Sequence, residues 1–147
     1  VDRLARQARS VHACVVWSGT LGNELFDADP RTWGPRGRAA WAERLAELLA
    51  VARSHRLQLW IRPHARHVVS DAPTIDRMLA DHAGDIAHEQ APLRILSDPA
   101  SMFTRSMLAY AEDHLERVLS ATRRWSALGA CAGIVLANVR DPSGEPA

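Results

Sequence analysis

The chain has 147 residues, 47% hydrophobic and 24% charged, with a formal net charge of +1. That size and balance suit a single domain with a real core, and they exclude a disordered segment or a strongly charged face for nucleic acid or lipid. No apolar run approaches the roughly 20 residues of a membrane helix, and the opening VDRLARQARS is too polar for a secretory signal, so a cytoplasmic protein is expected.

The first residues, DRLARQARS, read as the tail of a helix, and a start at Val rather than Met suggests a fragment of a longer chain. A first apolar run, HACVVW at 12–17, predicts a strand. After it comes a long loop, SGTLGNELFDADPRTWGPRG at 18–37, rich in Gly and Pro and holding Trp33. Loops of that length inside a compact domain are usually functional or disordered. From Arg38 to Arg53, the side chains Trp41, Leu45, Leu48, Leu49 and Ala52 form one helical stripe.

A second strand is predicted at LQLWI, 57–61. Ser70-Asp71 followed by Pro73 marks the start of a short helix carrying Ile75, Met78 and Leu79. LRILS at 93–97 predicts the third strand; Leu108, Ala111, Leu115, Val118 and Leu119 the next helical stripe; and GIVLAN at 133–138 the fourth strand. The runs are nearly continuous rather than alternating, as expected of strands covered on both faces. Strands separated by helices imply crossover connections and a parallel sheet, hence an α/β protein. Cys14 and Cys131 fall in two different strands, and two reduced, buried thiols are expected.

In α/β folds ligands gather at the carboxyl ends of the strands. Those ends read Trp17-Ser18-Gly19, Arg62-Pro63-His64, Asp98-Pro99-Ala100-Ser101 and Asn138-Val139-Arg140-Asp141. His64 and His67 also offer two imidazoles on one loop, although two-residue spacing on a loop is unspecific.

LQLWIRPH, then LRILSDPASMF, then GIVLANVRD, in that order and spacing, resembles the xylose-isomerase-like TIM-barrel superfamily of sugar-phosphate isomerases and epimerases. The resemblance runs from about Val11 to Asp141. It implies a partial TIM (β/α)8 barrel, with residues 1–147 forming a single domain of about half a barrel or slightly more. An incomplete barrel has open edges, so self-association of this chain is expected.

The resemblance also implies a divalent metal cofactor. Family members hold it with a Glu, an Asp, a His and a final Glu on successive strand ends, and Asp98 matches the Asp. Arg62 stands where the first Glu belongs, Ser101 where a His or Asn usually follows Asp-Pro-Ala, and Asn138 where a His belongs; His64 and Asp141 match the family's flanking polar positions. A hard cation needs anionic oxygens, and a guanidinium in place of one works against it. The resemblance thus implies a small-molecule carbohydrate ligand, with Arg62, His64 and Asn138 at substrate-binding positions. Two functions follow: a sugar or sugar-phosphate isomerase/epimerase with a degraded metal site, or a non-catalytic binding or regulatory relative. Related barrel nucleases need a metal cluster and basic loops, so no nucleic-acid partner is expected. Arg62 is also expected to pair with Asp98, supplying the positive charge a cation would have brought.

Overall fold

The computed structural model describes residues 12–88 and 90–137. Four strands, β1 (Ala13–Val16), β2 (Gln58–Ile61), β3 (Leu93–Ser97) and β4 (Cys131–Ile134), alternate with three α-helices, α1 (Pro35–His55), α2 (Ala72–Asp81) and α3 (Ala111–Ala127). The strands lie in the order β1-β2-β3-β4, and every neighbouring pair is parallel. The α/β class and the parallel pairing are as the strand–helix alternation predicts.

Register decides which side chains meet the helices. Cys14 aligns with Leu59 and Leu93, while Val16 aligns with Ile61, Ile95 and then Cys131. These positions share one face, and together with Trp41, Leu45, Leu49 and Ala52 of α1, Ile75, Met78 and Leu79 of α2, and Val118, Ala121 and Trp125 of α3 they form a single core. The helices therefore lie on one face. The other face carries Val15, Trp60 and Arg94 in register; Val15 is half exposed and the Trp60 indole donates to Gln58 Oε1 at 3.1 Å. Cys14 and Cys131 are free thiols on β1 and β4, half-buried rather than fully buried because each lies on an outer strand.

Local chemistry sets the helix ends. Pro35 opens α1 at a position where its missing N–H costs nothing, and Arg56 closes it in the left-handed conformation (φ 54°). At α2 the Asp71 carboxylate accepts from Thr74 N at 2.9 Å while Thr74 Oγ1 accepts from Asp71 N at 3.1 Å, a reciprocal capping box.

Two boundaries differ from the sequence reading. The stretch Arg105–Tyr110 is 3-10, so α3 begins only at Ala111; of the expected stripe Val118 is buried, and Ala121, Thr122 and Trp125 complete the buried face in place of Leu108, Ala111, Leu115 and Leu119. Leu115, expected inside, is exposed. Trp125 wins the inner position because its large ring fills the core while its indole N–H reaches Asp76 Oδ1 at 2.6 Å. The fourth strand, expected at 133–138, spans Cys131–Ile134.

Candidate functional site

The site lies at the carboxyl ends of β1, β2 and β3. Arg62 directly follows β2, and its N–H to Val16 O (2.9 Å) carries the β1–β2 ladder one step beyond the strand. Asp98 directly follows β3, and the short 3-10 turn Ala100–Met102 returns Ser101 to it. The Asp98 side chain is only 1% exposed. Its Oδ2 accepts from Arg62 Nε at 2.7 Å and from Ser101 Oγ at 2.5 Å, with Arg62 Nη2 in ion-pair contact at 2.6 Å, and its Oδ1 accepts from Ser101 N at 3.1 Å. The pairing expected from the sequence is present. A buried carboxylate is tolerable only with such a set of partners.

Arg62 faces two ways. Its guanidinium carbon sits 5.5 Å from the Trp17 ring centroid, a cation–π arrangement at the end of β1. The Arg62 side chain is 31% exposed, so its outer edge meets solvent at the mouth. Trp17 is 38% and Phe26 41% exposed, and the two rings meet edge to face at 5.7 Å. The mouth thus combines a guanidinium, a hydroxyl and two accessible aromatic surfaces.

His64 and His67 flank this mouth. His67 Nε2 lies 2.8 Å from Leu25 O and its ring stacks on Phe26 (5.4 Å, 2°); His64 Nδ1 accepts from Arg66 N at 3.2 Å. His67 is fully buried, which its loop position does not suggest. Burial pushes the His64 imidazole down to about 4, helped by His67 and the Arg66 charge, and burial likewise lowers His67. Both rings are held neutral.

Of the positions singled out from the sequence, the fold gathers Arg62, His64, Asp98 and Ser101, and Asn138 and Asp141 lie outside the described residues. Trp17 lies at a strand end marked from the sequence, whereas Phe26 was missed as a wall of the mouth, because nothing distinguishes it from the other apolar residues of the long loop. His114, on α3, is half-buried with its ring 4.3 Å from Phe103.

The Asp98 environment does not fit a divalent cation. Its Oδ2 already accepts from Arg62 Nε and Ser101 Oγ, and a cation there would face the Arg62 guanidinium at ion-pair distance. Among the described residues, no group of three or more His, Cys, Asp or Glu side chains is placed to hold a metal. A larger hollow of about 830 Å³ opens at the opposite, amino ends of the strands, lined by His12, Arg53, Arg56, Asp85 and His88 among others, but it holds none of the residues singled out above. Among the described residues, no helix is long and apolar enough to cross a membrane. No protein-family model matches the chain, and comparison with curated proteins and with solved structures gives no match.

Proposed function

We propose that this chain is a carbohydrate-binding relative of the sugar-phosphate isomerase and epimerase barrels, built on part of a (β/α)8 barrel, in which a guanidinium stands where the family's cation would. One observation carries the reading: the Asp98 carboxylate, at the strand end where the family places a metal ligand, is occupied by Arg62 and Ser101. The accessible side of Arg62, the Trp17 and Phe26 rings and the His64 edge suit a small polyhydroxylated ligand. Hydroxyl or phosphate oxygens accept from the guanidinium, and an apolar sugar face rests on an aromatic ring. Neutral His64 can exchange hydrogen bonds with hydroxyls at neutral pH.

The competing reading, a metal-dependent isomerase or epimerase, draws on the same resemblance and requires Asp98 to exchange Arg62 for a cation. Titration of aldose and ketose phosphates into the isotopically labelled protein tests the proposal. Chemical-shift changes at Trp17, Arg62 and His64 that saturate without added metal are expected. No perturbation by any sugar or sugar phosphate overturns the binding reading, and Mn²⁺-dependent interconversion of a sugar phosphate establishes the competing one.

A further inference from the structure

The long loop after β1 folds into a compact cover. Inside it, Asp27 Oδ2 accepts from Asn23 N (2.8 Å) and Glu24 N (3.0 Å), and buried Thr32 accepts at Oγ1 from Leu21 N (3.0 Å). Its far end is anchored on α1, where Gly37 approaches the Thr32 backbone so closely that a Cβ would lie 2.0 Å from Thr32 O.

The cover is then tied to residues 64–69, the turn after β2. Val68 N donates to Gly19 O (3.0 Å), Val69 N to Ser18 Oγ (2.8 Å), Arg66 Nη1 to Phe26 O (2.9 Å) and Trp33 Nε1 to Ala65 O (3.2 Å). His67 forms the centre of this seam. Its ring lies between Phe26 on one side (5.4 Å, 2°) and Trp17 edge-on (6.2 Å), and His64 completes the stack at 4.8 Å from His67 and 4.6 Å from Phe26.

Hydrogen-bond chemistry fixes the protonation of His67. Leu25 O can only accept, so Nε2 carries the hydrogen and the neutral ring leaves Nδ1 bare. That Nδ1 is buried and has no partner. A proton added there would create a donor with nothing to donate to, on a cation enclosed by rings.

We propose that residues 18–34 form an acid-released cover, held closed by neutral His67 and His64 and let go when this pair takes up protons. The charged and titratable groups around the pair are Arg62 and Arg66 on the β2 side, which oppose a proton, and Asp98 from β3, which favours one but is itself engaged by Arg62 and Ser101. The cover contributes Phe26, and Trp17 stands at its root. The release depends on this seam alone and stands whether or not a carbohydrate binds beside it.

An imidazole held at about 4 when closed and titrating near 6.5 once released favours opening about 30-fold more at pH 5 than at pH 7.5. Amide hydrogen exchange, corrected for intrinsic rates, reads this directly. Protection at Val68 and Val69, whose N–H groups bond across the seam, should fall at least about tenfold between those pH values, while Ile95, bonded to Ala130 O inside the sheet, keeps its protection. His67→Gln retains a donor for Leu25 O without titrating, and combined with His64→Gln it should abolish the pH dependence. If the double variant does not fold, nitrogen-detected titration of the unaltered protein decides. His67 staying neutral with hydrogen on Nε2 until the cover amides shift, at one shared midpoint below the usual histidine range, supports the proposal. Seam protection unchanged down to pH 5, or a protonated His67 beneath a closed cover, overturns it.

Discussion

Two groups at the mouth of this sheet have almost no exposed surface, and the fold accommodates them by opposite means. Asp98 is buried as a charge, and four donor contacts from Arg62 and Ser101 replace the water it gave up. His67 is buried as a neutral ring, with one nitrogen bonded to Leu25 O and the other unpartnered. The first arrangement weakens with each partner removed. The second tolerates no gain of a proton. A buried polar group saturated with partners makes a rigid feature, whereas one left half-satisfied makes a responsive one.

The sharpest way to break the comparison is to remove the carboxylate. Asp98→Ala leaves Arg62 facing the mouth without its counter-ion and Ser101 without its acceptor, and a loss of about 3 kcal/mol is expected, at the low end for breaking a buried pair because Arg62 can reach water. Urea unfolding at neutral pH, with an unchanged slope, measures it. A loss below about 0.5 kcal/mol would place the pair with ordinary surface ion pairs.

The anchor of the cover comes next. Gly37→Ala drives a methyl group into the Thr32 carbonyl, a backbone atom that cannot step aside. A loss of about 2 kcal/mol, in the range for overpacking, is expected in the same unfolding assay. Exchange protection at Leu21, which donates to Thr32, should fall with it.

The imidazoles give a pH-dependent effect with a definite sign. Both His64 and His67 are lowered by burial, His64 to about 4. Above about pH 6.5 neither the folded nor the unfolded chain protonates them, and their contribution is complete. As pH falls from there toward 4, the unfolded chain binds protons that the folded chain refuses, so stability declines across that window and levels off below it. Melting temperatures measured from pH 7.5 to pH 4 should fall by several degrees, and the decline should flatten in a variant carrying His64→Gln and His67→Gln. The smallest effect is expected from Ser101→Ala, which removes one of the donors to Asp98 and costs about 1 kcal/mol.

Much of the architecture could be read from the sequence because it rests on local signals. The runs at 57–61 and 93–97 are strands nearly to the residue, and Asp71 with Pro73 marks the start of α2. The stripe of α1 is also inside as predicted, with Trp41, Leu45, Leu49 and Ala52 buried. Parallel pairing followed from alternation alone. α3 was harder, because Val118 can be continued helically either with Leu115 and Leu119, as expected, or with Ala121 and Trp125, as found, and only packing against the sheet chooses between them. At the mouth, Arg62 and Asp98 were legible as neighbours because consecutive strand ends are adjacent in a sequentially ordered sheet. The burial of His67 was not, since it depends on a loop that folds back across more than forty positions to place Leu25 and Phe26 against it. No local pattern encodes that contact.

Under the proposed function, Arg62 holds the place of a divalent ion beside Asp98. Calorimetric titration of Mn²⁺ into the unaltered protein and into Arg62→Glu tests it most directly. The account predicts no saturable binding below millimolar Mn²⁺ for the unaltered chain and a clear gain in affinity when the guanidinium becomes a carboxylate. Tight Mn²⁺ binding by the unaltered protein, lost on Asp98→Asn, would contradict it.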